Sequence, residues 1–260
     1  MILRSHARTA VLSMVTTLAL GTLGAAPAEA AAAACSAAPD TKSAARVHGW
    51  GTPVWCDEFE DEYLDSADWV FYDSPGHAGK GRRTSQELYL GNGALYLHGL
   101  PDGTTAGLGA RHAQSYGRWE TRIRLYRGAG AYRPMALLWP NGGGGGEYSA
   151  TREEIDFMGV YNDPSRQRAD FFLETPKGGH ELGYADVDMT KWHTYAVENS
   201  PAGVVGYLDG REWFRSSHST RSPMSLCLQL DWFPGEGSNG EAWMEVDWVR
   251  IYPMNAGGDG

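Results

Sequence analysis

The sequence predicts an all-β domain, a sandwich or barrel of short antiparallel strands. Three observations carry this. Short strand-like runs recur between Gly, Asn and Asp turns, and no segment holds a long helical period. The 260 residues include 34 Gly, 10 Trp and 13 Tyr, a balance that suits pleated, aromatic-rich sheets and many turns. Residues 118–125 (RWETRIRL) alternate strictly, with Trp119, Thr121, Ile123 and Leu125 on one face and Arg118, Glu120, Arg122 and Arg124 on the other. That is a half-buried strand of an antiparallel sheet.

The elements follow in order. Arg4 and Arg8 precede an apolar run, Ala10 to Leu23, and Ala28-Glu29-Ala30 supplies small residues for cleavage. Residues 1–30 therefore read as a secretory signal peptide. The run is shorter than the ~20 residues needed to span a bilayer, so no membrane span is expected. Residues 31–46, rich in Ala and Ser, read as a flexible linker. The folded domain is expected over 47–253, with a tail at 254–260. Leu88-Tyr89-Leu90 and Leu95-Tyr96-Leu97 flank Gly91-Asn92-Gly93, a hairpin signal. Val204–Leu208, Asp209-Gly210 and Arg211–Arg215 give a second, and Trp243–Tyr252 the last strand. The five-glycine run Gly142–Gly146 is a loop.

Export permits a disulfide. Of Cys35, Cys56 and Cys227, the latter two lie in folded stretches and are expected able to pair. Cys35 follows AAAA but lacks a large aliphatic residue three positions back, so lipid anchoring is not expected. A net charge of −10 leaves no basic footprint for nucleic acid. No Cys–His spacing suggests zinc. His193 in KWHTYAVE has no nucleophile elbow to serve, so it reads as a hydrogen-bonded structural histidine.

The chemistry-bearing stretch is Arg152-Glu153-Glu154-Ile155-Asp156-Phe157-Met158-Gly159. In a strand Glu154 and Asp156 share a face, about 6.6 Å apart along the chain. Glu153 points the other way. On spacing alone the pair fits a solvated sheet face or the floor of a cleft.

The surrounding text decides. EEIDFM after PMALLWPN resembles the signature of family 16 of the glycoside hydrolases. So do CDEFEDEYLDSADWVFYDSPGHAGKGRRT, SYGRWETRIRLYRGAGAYRPMALLWP, DMTKWHTYAVENSPAGVVGYLDGREWFR, QLDWFP and MEVDWVRIY, in family order over about residues 50–252. The resemblance implies a secreted concanavalin-like jelly-roll sandwich of two antiparallel sheets; a monomer is the default expectation. It implies retaining hydrolysis of a β-linked polysaccharide, of endo-β-glucanase type. Glu154 matches the nucleophile and Asp156 the middle acid of Glu-x-Asp-x-x-Glu. The final Glu, which protonates the leaving oxygen, is replaced by Gly159, or by Met158 without a bulge. General acid–base catalysis supplies ~10²–10⁴ in rate, so catalysis is expected to be impaired or altered. Glu174, after the strand-like Phe171-Phe172-Leu173, is a candidate stand-in acid or else a solvated strand-end carboxylate; Asp163 falls in a turn.

By the same resemblance Trp139 and Trp232 are candidate sugar-stacking residues, and Gln229 and Asp231 candidate hydrogen-bonding residues. His77, Arg82 and Arg83 lie in a loop expected to face the cleft. Asn199 and Gly206 stand where relatives often have Trp, which implies altered subsites. No cofactor is required, but a structural calcium with Asp247 as one ligand would resemble some relatives. The alternative function is a non-catalytic, lectin-like carbohydrate-binding sandwich. A purely structural sandwich suits the carboxylate strand least.

Overall fold

The computed structural model describes Cys35 and residues 41–140, 153–175 and 178–254. The signal segment, the glycine run 142–146 and residues 255–260 lie outside the described residues.

Two antiparallel sheets form the body. One runs β16 (Arg211–Ser216), β15 (Gly203–Leu208), β14 (His193–Ser200), β9 (Gly117–Leu125), β18 (Ala242–Pro253), β6 (Ala94–Gly99) and β5 (Leu88–Gly91), with β1 (Trp55–Asp57) also paired to β18. The other runs β13 (Gly179–Asp186), β12 (Arg168–Thr175), β11 (Ile155–Gly159), β10 (Tyr132–Pro140), β17 (Met224–Trp232), β8 (Gly107–Gln114) and β2 (Trp69–Phe71). A small third sheet joins β3 (Ser74–Pro75), β4 (Arg82–Arg83) and β7 (Thr104–Thr105).

The alternation read at 118–125 is what builds the core. Trp119, Ile123 and Leu125 are buried with Leu95, Leu97, Val246 and Val249 of the first sheet. Leu138, Ile155, Phe157, Phe171, Leu226 and Leu228 of the second sheet complete the same cluster. Each sheet thus turns one face inward and the other toward solvent. Both expected hairpins form. Asn92-Gly93 and Asp209-Gly210 have φ of 54°, 67°, 51° and 72°, the left-handed pairs of a tight two-residue hairpin.

Two expectations change near the N-terminus. Residues 44–46, placed in the linker, form with Val47 a short helix (Ala44–Val47) capped by Ser43. Buried Glu120 holds it, accepting from Ser43 Oγ at 2.8 Å and from the Ala45 N–H at 3.3 Å. Trp50 then packs edge-on against Tyr207 and Tyr252. The second change is the disulfide. Cys35 pairs with Cys56, while Cys227 is free and buried in β17, on the opposite sheet from β1. A bridge across 21 positions limits the unfolded chain by an amount worth about 3 kcal/mol. The double variant Cys35→Ser, Cys56→Ser should therefore unfold at lower urea than the parent, and reductant should shift only the parent. A midpoint unchanged by either treatment contradicts this.

Candidate active site

The outward face of the second sheet is a ladder of registered rows. Across β17, β10, β11 and β12 the first row is Ser225, Trp139, Glu154 and Glu174, with His180 of β13 beyond. Glu174 N–H donates to Glu154 C=O at 2.9 Å, which fixes that end. The next row is Cys227, Leu137, Asp156, Phe172 and Leu182. The third is Gln229, Met135, Gly159, Asp170 and Tyr184. A bulge between the second and third rows puts Phe157 and Met158 both into the core. Gly159, not Met158, is therefore the position that returns to the outer face.

These rows floor a cavity of about 550 Å³, walled by Tyr72, His77, Arg83, Arg133, Tyr161 and Phe233. Of the residues predicted from sequence, Glu154, Asp156, Glu174, Trp139, Gln229 and Asp231 all line it, as do His77 and Arg83.

Asp231 is fully enclosed. Arg83 Nε and Nη2 donate to its Oδ1 at 2.9 and 2.7 Å, and Gln229 Nε2 donates to its Oδ2 at 3.1 Å. Arg133 lies over the rings of Tyr161 and Phe233, 4.7 and 3.7 Å from their centroids, and pairs with Glu236.

Glu154 and Asp156 hydrogen-bond to each other. Burial pushes both carboxyls upward. Glu154 rises further because the charges of Asp156 and Glu174 face it. Asp156 is held back by accepting from Tyr161 OH at 3.0 Å and from Glu154. The pair therefore keeps a proton at neutral pH, on the Glu154 side. Removing the Glu174 charge, as Glu174→Gln, should lower the titration midpoint of the Glu154 carboxyl, read by carbon NMR. An unmoved midpoint contradicts the cross-strand repulsion.

Tyr161 occupies the end of the cleft where the strand offers no side chain. Its ring carbon Cε2 lies 3.4 Å from where a Cβ on Gly159 would sit. Its N–H donates to Asp170 Oδ2 at 2.9 Å.

Other expected residues sit elsewhere. Trp232 follows Asp231 by one residue in β17, so it turns to the opposite face and packs over Gly81 and Gly103. Arg82 points away, to Asp73 at 2.7 Å. Asn199 and Gly206 are not subsite positions. Asn199 Nδ2 is spent on Ser115 C=O and Thr220, and a Cβ on Gly206 would lie 2.5 Å from the core ring of Phe171. His193 is satisfied by Asp209 Oδ2 at 2.9 Å and Asp188 C=O at 3.1 Å, as expected of a structural histidine. Glu153 turns away and accepts from the Arg221 N–H at 2.9 Å. Asp247 lies on β18 of the other sheet, with Arg122 Nη1 donating to it at 2.6 Å. Calcium needs 6–8 oxygens, and no group of three or more His, Cys, Asp or Glu side chains among the described residues gathers for a metal. The Asp247 carboxylate is engaged by Arg122 in an ion pair.

Sequence reading missed Asp170, Arg133, Tyr161 and Phe233. Arg133 and Tyr161 were visible only as strand and loop residues, because their convergence depends on the bulge.

Comparison with known proteins gives a consistent picture. The family model described as glycosyl hydrolases family 16 matches residues 77–250. A β-glucanase of Rhodothermus marinus is 26% identical over 243 residues, covering 76% of this chain and 84% of that protein. The laminarinase catalytic domain of Thermotoga maritima MSB8 superposes with a TM-score of 0.67 at 21% identity, covering 78% of this chain and 98% of the other. Porphyranase B of Zobellia galactanivorans gives 0.63 at 16%, covering 76% and 90%. Both solved structures share the two-sheet sandwich fold.

Proposed function

The chain belongs to family 16 of the glycosyl hydrolases, and from that premise we propose that it is an exported glycosidase acting on a β-linked glucan through Glu154, slow on unactivated polymer. One observation carries the reading. Glu154 and Asp156 lie side by side on the floor of an open cavity, while position 159 of the same strand is glycine.

The chemistry follows from those groups. Glu154 attacks the anomeric carbon and forms a glycosyl ester. Asp156, hydrogen-bonded to Glu154 and Tyr161, takes up the shared proton as Glu154 ionises. The departing sugar oxygen needs a proton, and Gly159 has none to give. Trp139 offers an aromatic ring beside Glu154 for a pyranose. Export is supported by the N-terminal pattern and by a Cys35–Cys56 bridge, which suits an oxidising compartment.

The test uses dinitrophenyl β-glycosides of gluco-oligosaccharides, whose phenolate leaves without a proton. The expected result is a burst of one phenolate per protein with slow turnover, accelerated by azide or formate. A second reading, glycan binding without turnover, is favoured by the proton that burial keeps on Glu154. Oligosaccharide affinity with no burst at any pH would select it.

A further inference from the structure

Gly159 leaves the proton unassigned, and the ladder shows which acidic residue stands directly across from it. Glu174 is at the wrong end. Its backbone is bonded to Glu154, in the nucleophile's own row. Asp170 is the direct cross-strand partner of Gly159. It shares the outward face with Phe172 and Glu174, while Ala169, Phe171 and Leu173 fill the core. Directly opposed residues have Cβ atoms ~4.5–5.5 Å apart, so the Asp170 side chain rises beside the space a residue 159 side chain would use.

Resting on the reading above, we propose that Asp170 is the displaced acid/base of this cleft. In the first half-reaction a Glu154 oxygen bonds to C1 as the C1–O bond to the leaving sugar breaks, and that oxygen takes the Asp170 proton. In the second, water bonds to C1 as the ester C1–O bond breaks. Asp170 takes the water's proton, and Glu154 leaves as the carboxylate.

The surroundings suit a group that alternates between states. Burial raises Asp170 above the usual aspartate range, which favours the acid form. The Tyr161 N–H and Arg168 Nε, each at 2.9 Å, stabilise the carboxylate after proton loss. The Arg168 side chain is 45% exposed and lies over Tyr184, which also lines the cleft.

The experiment is Asp170→Asn, made alone and in a Gly159→Glu background. Alone, it should cut turnover of soluble β-glucan at least 10-fold and leave the dinitrophenyl burst rate within 2-fold. It should also abolish the alkaline limb of the glucan pH profile. With a carboxylate restored at 159 it should change glucan turnover less than 3-fold, which also shows that the substitution folds. Asp170→Glu should recover part of the loss. Equal losses on both substrates and in both backgrounds would make Asp170 merely structural and overturn the proposal. Unchanged glucan turnover in Asp170→Asn alone overturns it too. No burst in the parent protein defeats the glycosidase reading itself, whereas a normal burst with an inert Asp170 defeats only this inference.

Discussion

Gly159→Glu is expected to raise turnover of soluble β-glucan by roughly 10²–10³-fold, equivalent to ~2.7–4 kcal/mol of barrier. The backbone admits the change. Gly159 is not among the residues with positive φ, so a side chain meets no conformational penalty there. Its Cβ would lie 3.4 Å from Asp170 C=O and 3.4 Å from Tyr161 Cε2, ordinary contacts. The bulge already turns position 159 to the cleft, so the new carboxyl enters on the face that carries Glu154 and Asp156. The side chain nearest to that Cβ is Tyr161, with Met135 Cγ next at 4.0 Å. The double variant Gly159→Glu, Tyr161→Leu removes the Tyr161 contact but also the hydroxyl from which Asp156 accepts, so it should gain less than the single one. Release of reducing ends measures both, and no gain in either would contradict the placement of the vacancy at 159.

Glu154→Gln should act in two opposite directions. The dinitrophenyl burst should fall at least about 10³-fold, because the amide cannot form the ester. Stability should rise. The folded protein holds the Glu154 proton to higher pH than the unfolded chain does, where glutamate titrates near ~4.3. The native state therefore binds more protons than the unfolded state above that pH, and stability falls as pH climbs through the window. Glutamine has no proton to lose. The variant's advantage should be small at pH 4 and grow toward pH 8, where ~1–2 kcal/mol, or about 2–8 °C in Tm, is expected. A variant less stable than the parent at pH 8 would show that the carboxylate is stabilised in place rather than strained.

Much of this site was legible as parity. Glu154 and Asp156 share a face by the two-residue period, and both floor the cavity. The hairpins at Asn92-Gly93 and Asp209-Gly210 follow from turn chemistry alone. The same parity rule excludes Trp232, since its neighbour Asp231 holds the cleft face. What sequence could not give was register. The irregularity at Phe157 and Met158 slips the strand by one residue, and only then does Asp170 rather than Ala169 face Gly159. The Cys35–Cys56 bridge was hidden for a different reason. Cys35 sits in an Ala- and Ser-rich stretch with no period, which says nothing about where it docks.

The most direct measurement is the intact mass of the protein after reaction with a dinitrophenyl 2-deoxy-2-fluoro-β-glycoside, tried as both cellobioside and laminaribioside. The account predicts one added glycosyl unit per molecule, mapped by peptide mass to Glu154 and absent in Glu154→Gln. A protein that keeps its original mass with both probes, or that carries the sugar on another residue, would contradict it.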